Sequence, residues 1–184
     1  MLDLLAVALP IDKERIVIGG SSMGGYGTWD TIVRHPSRFA IAVPISGGGD
    51  TRRADLLGRM SIWAFHAAND TVVPVNGSRQ MTSAVAAARS TKLETIWLYG
   101  GTTLEMRSAD DRLRYTELGD DACLFNVPTE RRRPPDAVHI FSSGAALSGQ
   151  RVFKWVNQQL ESVRNGSSRG GGEGSGAISN SETS

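Results

Sequence analysis

The run Gly20-Ser21-Ser22-Met23-Gly24-Gly25 follows directly on Arg15-Ile16-Val17-Ile18-Gly19, and no other stretch restricts the fold of this chain as strongly. Ile16, Val17 and Ile18 are β-branched, which suits a strand. Beyond the glycines, Trp29, Ile32 and Val33 recur at helical spacing until Pro36 stops the helix. A strand, a sharp turn and a helix start therefore meet at Ser22. A serine on such a turn sits in strained backbone, and Gly20 before it and Gly24 after it let the flanking segments pass close. The turn projects the hydroxyl out of the sheet, while the unpaired N–H groups and positive dipole end of the helix face the same point. Ser22 is thus a candidate nucleophile and the Met23 amide a candidate oxyanion donor.

The remainder of the chain alternates in the same way, which predicts an α/β fold with a mainly parallel sheet flanked by helices. Phe39-Ala40-Ile41-Ala42-Val43-Pro44-Ile45 and Ile62-Trp63-Ala64-Phe65-His66 are continuous apolar runs, as strands covered on both faces require. A helix is expected around residues 79–88, and Val152, Trp155, Val156 and Leu160 trace the stripe of a final one. Leu2, Leu5, Ala6 and Leu9 share a helical face that ends at Pro10, so the chain is expected to begin on a packed helix. Segments 93–99 and 113–118 both alternate like strands, and the polar stretch between them reads as a hairpin or an insertion. From residue 165 the composition turns to glycine and serine, which cannot offset their ordering entropy; 1–164 is therefore expected to be the domain and 165–184 a flexible tail.

A serine hydroxyl is a poor nucleophile near neutral pH and needs a base, usually a histidine oriented by a carboxylate. The chain has three histidines. His35 stands at a helix end before Pro36, where it suits a cap. His66 ends a strand beside Ala67-Ala68-Asn69-Asp70, where it is expected to organise the loop by hydrogen bonding. His139, in a loop-like approach to the final helix, is the candidate base. Asp70, on a loop after an apolar strand, is the candidate acid.

Ser22-Met23-Gly24-Gly25-Tyr26-Gly27-Thr28-Trp29, Arg38-Phe39-Ala40, Pro44-Ile45-Ser46-Gly47-Gly48 and Asn69-Asp70-Thr71-Val72-Val73-Pro74 carry a resemblance to a family. They are similar to the phospholipase/carboxylesterase and prolyl-oligopeptidase-like serine esterases of the α/β hydrolase superfamily, over residues 1 to about 90 and again over 135–160. The resemblance implies Ser22 as nucleophile, Asp70 as acid and His139 as base, in the family's chain order. The sequence departs from the pattern in three respects. Val138 precedes the histidine where the family commonly has glycine, and Ile140-Phe141-Ser142 follow it where a tryptophan is usual. The interval from Asp70 to His139 is long, so residues of about 100–130 resemble an insertion; a second register aligns 115–118 with the strand before the histidine, but places Asp120 or Asp121 at the histidine's position. Finally, family members carry several strands upstream of the nucleophile strand, and a loop there supplies the second oxyanion donor. The chain reads as the C-terminal half of such a domain, with an open edge expected to be covered by a second copy in a homodimer or by residues 93–118.

These residues lead to the expectation of a serine carboxylesterase acting on a small-molecule ester without metal or cofactor. A serine peptidase, or a catalytically silent relative acting through dimerisation or partner binding, are the alternatives. The formal charge of +1 provides no field to recruit nucleic acid or an anionic membrane, and Arg131-Arg132-Arg133 reads as a solvated loop. No apolar run is long enough to span a bilayer, and no basic segment precedes an apolar one as in a secretory signal, so a soluble chain is expected. The single Cys123 excludes an intrachain disulfide and reads as an ordinary buried or loop residue. Asp110-Asp111 and Asp120-Asp121 have no metal-ligand spacing and read as solvated loop acids.

Overall fold

The computed structural model describes residues 2–58, 60–98, 102–119 and 136–169. Its elements are α1 (Leu2–Ala8), β1 (Val17–Ser21), α2 (Met23–Arg34), β2 (Ile41–Ile45), β3 (Ser61–Ala67), α3 (Asn76–Ala88), β4 (Leu93–Leu98), β5 (Thr103–Ser108), β6 (Leu113–Leu118), α4 (Ala137–Leu147) and α5 (Arg151–Arg169), with short 3-10 turns between some of them. The six strands form one sheet in the order β1-β2-β3-β6-β5-β4. β1, β2, β3 and β6 run parallel, with Ser21 level with Ile45, Ile45 with Phe65, and Ala67 with Leu118. β5 and β4 then turn back antiparallel. The carboxyl ends of the parallel strands consequently lie along one margin, where ligands meet open α/β sheets.

Side chains alternate across the sheet and build a core on each face. On one, Ile62, Ala64, Leu113 and Tyr115 pack with Trp29 and Ile32 of α2 and Met81 and Val85 of α3. On the other, Ile41, Val43, Trp63 and Phe65 pack with Ala146 of α4 and Val152, Trp155 and Leu160 of α5. Trp63 stands edge-on to Trp155 at 5.3 Å and stacks on Phe65 at 5.0 Å. Full burial of each large apolar side chain contributes roughly 1.5–3 kcal/mol, so these two layers hold the strand ends in place.

The structure corrects several expectations. Among the described residues, 93–98 and 102–118 do not cover β1: β4 and β5 extend the far side of the sheet, and β1 lies at its edge. The stretch expected as part of an insertion contains β5, and β6 is the parallel neighbour of β3. β5 does not read as a core strand because Thr103, Glu105 and Ser108, its polar residues, are the buried ones; Glu105 is met by Arg151 at 2.9 Å and Arg114 at 3.9 Å. The first helix is not packed as expected, because none of its residues is buried: Leu4 and Val7 are 76% and 85% exposed, while an Arg38–Asp3 ion pair and partial contact by Leu2 attach it. The last helix continues through Asn165 to Arg169, past the point where the tail was expected to start. No helix among the described residues is long and apolar enough to cross a membrane. Asp120, Asp121, Cys123, Arg131–Arg133 and residues 170–184 lie outside the described residues.

Candidate active site

Ser22 occupies the junction of β1 and α2 with φ 58° and ψ −118°, in the left-handed half of the map that non-glycine residues rarely enter. Backbone contacts impose this conformation. The Ser22 N–H donates to Ile45 O at 2.9 Å, and Ser22 O accepts from the Gly25 and Tyr26 amides. A Cβ on Gly20 would fall 2.6 Å from Gly24 O, so the strand and helix can close on each other only through glycine. Gly25 is a further requirement that the serine-centred spacing does not show. It lies against Ile45 O so closely that no side-chain atom fits between them. The Met23 amide is among the first of α2, whose opening N–H groups have no intrahelical acceptor, so its place suits an oxyanion donor.

Asp70 follows β3 on the neighbouring loop with its side chain buried. Its Oδ1 accepts from the Val72 and Val73 amides, both at 2.9 Å, and its Oδ2 accepts from His139 Nδ1 at 2.7 Å. Burial alone would push the carboxyl upward, but the His139 hydrogen bond and the two amides outweigh it and hold Asp70 below its ordinary value. An ionised Asp70 places the imidazole proton on Nδ1 and leaves Nε2 free to accept. That nitrogen lies 2.9 Å from Ser22 Oγ. The structure therefore brings Ser22, His139 and Asp70 into one hydrogen-bonded chain across residues far apart in sequence.

His139 is not on a loop, as the sequence suggested, but in the first turn of α4. Val138-His139-Ile140-Phe141 has strand-like side chains, yet Ala137 and Ala146 bury one face of the helix against the sheet. Two buried serines fix its angle: Ser142 Oγ donates to His139 O at 2.8 Å and meets Ser46 Oγ at 3.1 Å. Ser46 itself follows β2 with φ 49° and is anchored by its amide to Phe65 O. The sequence does not show this pairing, since a hydroxyl's partner across the fold leaves no local pattern. The strand of the second register and the histidine of the first coexist, because β6 takes its place beside β3 and His139 comes later in the chain.

The other expected candidates lie elsewhere. His35 follows the last residue of α2 and its amide bonds to Thr31 O, as suits a cap. His66 is fully buried and bonds to Ser78 and to Val73 O of the acid loop, as expected of an organiser of that loop. Asp110 accepts from Ser108 Oγ and the Arg112 amide, and Asp111 pairs with Arg114, so both serve the β5–β6 turn. Among the described residues no cluster of histidine, cysteine or carboxylate side chains is arranged to hold a metal.

No family model and no curated protein matches this chain. Among solved structures, a thermostable esterase matches 85% of the chain with 29% identity and a TM-score of 0.63. The acylaminoacyl peptidase of Pyrococcus horikoshii matches 47% of the chain, and 20% of its own, with 16% identity and a TM-score of 0.43. With its mostly parallel sheet between two helical layers, the chain is structurally similar to esterases of the α/β-hydrolase fold, and it spans 34% of the length of the thermostable esterase it matches.

Proposed function

We propose that this protein hydrolyses carboxylic esters through an acyl-enzyme formed on Ser22. The observation that carries the reading is the unbroken path Ser22 Oγ, His139 Nε2, His139 Nδ1, Asp70 Oδ2, with contacts of 2.9 and 2.7 Å. Ser22 Oγ attacks the acyl carbon as its proton passes to His139 Nε2, and Asp70 stabilises the imidazolium that forms. The carbonyl oxygen becomes an oxyanion facing the Met23 amide at the helix start. Collapse of this intermediate breaks the ester C–O bond, and the departing alkoxide takes the proton from His139. Water then attacks the acyl carbon and gives a proton to His139; the second collapse frees the acid and returns the proton to Ser22.

Hydrolysis of a short-chain nitrophenyl ester tests the reading. The wild type is expected to turn over, and Ser22→Ala or His139→Ala to lose at least about a thousandfold in kcat, since members of such a unit fail together. Equal rates in wild type and Ser22→Ala would overturn it and favour a silent relative of the hydrolases.

A further inference from the structure

We propose that His66 and Ser78 are positioning residues for Asp70, forming a buried clamp that holds the acid loop at a set distance from the nucleophile turn. The proposal rests on the esterase reading of Ser22, Asp70 and His139, in which His66 exchanges no proton with substrate.

His66 points to the α3 side of β3, as Ile62 and Ala64 do, and its ring is entirely removed from solvent. A buried imidazole is tolerated when both nitrogens are bonded, and the partners here are specific. Nε2 lies 3.0 Å from Val73 O, which can only accept, so the ring proton sits on Nε2 and donates there. The amide of the same Val73 donates to Asp70 Oδ1 at 2.9 Å. One residue thus carries both the carbonyl that holds His66 and an amide that holds the acid. Nε2 is also 3.5 Å from Asp70 Oδ2, the oxygen that receives His139 Nδ1.

The other end of the clamp reaches the nucleophile. With the ring proton on Nε2, Nδ1 accepts from Ser78 Oγ at 2.7 Å in the first turn of α3, and the same hydroxyl lies against Gly47 O at 2.8 Å. Gly47 is stacked on the backbone of the elbow: a Cβ there would lie 2.5 Å from Gly25 C and 2.6 Å from Tyr26 N. Gly25 and Tyr26 are the residues whose amides hold Ser22 O. A path through Val73, His66, Ser78, Gly47 and Gly25 therefore joins Asp70 to Ser22 beneath the site, while His139 joins the same two residues above it. The lower path sets the gap that the imidazole must bridge, and misplacement by about 1 Å can cost about a hundredfold in rate.

Ser78→Ala removes the middle of the clamp without touching Ser22, Asp70 or His139, and His66→Gln keeps a donor toward Val73 O while losing the ring. Two readouts are needed: the division of ester hydrolysis between kcat and KM, and the low-field proton resonance of the His139 Nδ1–H shared with Asp70, which does not require turnover. Ser78→Ala is expected to lower kcat between about tenfold and a hundredfold with KM nearly unchanged. Its resonance should broaden through faster exchange, as in the Asp70→Asn reference, and His66→Gln should do the same less fully. Melting temperatures that fall while kcat and the resonance stay at wild-type values would overturn the proposal, leaving a structural role alone. If the wild type hydrolyses no ester, loss of the resonance in Ser78→Ala still supports the clamp although the esterase reading has failed; a persistent resonance rejects the clamp whatever the turnover.

Discussion

The Ser22 turn and the His139 helix stand on opposite sides of one hydrogen bond, and they are built by different means. Ser22 is placed by main chain: its amide on Ile45 O, its carbonyl under two amides of α2, and glycines at 20 and 25 where a Cβ would meet backbone. His139 is placed by side chains: Asp70 on one nitrogen, Ser22 on the other, and the Ser142–Ser46 pair behind its helix. The difference teaches where each half is vulnerable. The serine's position withstands changes of side chain but not the gain of a Cβ, whereas the histidine's position depends on individual polar groups.

Substitutions can break this contrast. The largest effect is expected from Asp70→Asn, which keeps the shape of the acid but lets the imidazole adopt the wrong tautomer. A fall in kcat of about ten-thousandfold, with little change in melting temperature, is expected from steady-state ester hydrolysis. On the other side of the contrast, Gly25→Ala should act through stability, because the added methyl group meets Ile45 O. Denaturant unfolding should show a loss of about 1–3 kcal/mol, the usual cost of overpacking, and the serine turn should distort with it. Wild-type stability in that variant would mean that the turn is less constrained than its backbone contacts indicate.

Ser142→Ala should have a smaller effect, because α4 keeps its apolar contacts and loses one buried hydroxyl pair. About 1 kcal/mol of stability is expected to go with it, by thermal unfolding. The gentlest test is pH. Burial holds the folded His66 below its ordinary 6.5, against the raising influence of Val73 O, Asp70 and Glu117 and alongside the lowering influence of His139. The unfolded chain then binds that proton more readily, so this stabilisation is present above about pH 6.5 and is lost as pH falls toward the folded value. Asp70 has the same sign at lower pH: its depressed folded value stabilises the fold above the ordinary carboxylate range and is lost as pH falls through it. Urea midpoints measured from pH 7 downward should show the first decline in wild type and not in His66→Gln. The penalty of Gly25→Ala should be the same at every pH, since no titrating group enters it.

Much of the serine half was legible in the sequence because its determinants are local. β-branched residues before the turn, glycines beside the serine and helical spacing after it lie within one short segment and describe β1, the elbow and α2. The apolar runs of β2 and β3 were equally plain, because strands buried on both faces need no polar alternation. The base half was less so. Asp70 and His139 could be chosen as acid and base, but the helix around His139 was concealed by strand-like residues, and its stability comes from packing Ala137 and Ala146 on the sheet. β5 was hidden for a related reason, since its central Glu105 is neutralised by Arg151 from a distant helix.

By itself, then, the sequence determined an α/β chain with a strained serine turn, a buried strand leading into the Asp70 loop and an amphipathic final helix. Each of these depends on contacts between near neighbours or on a periodicity that one strand or helix imposes. Only the tertiary structure decided that β4 and β5 extend the edge opposite β1, that His139 stands on a helix, that Ser142 meets Ser46 behind it, and that Ser78 is the partner of His66. Those outcomes depend on side chains that meet across the sheet, and a hydroxyl or an imidazole has no partner to declare until the strands have set which ends lie together.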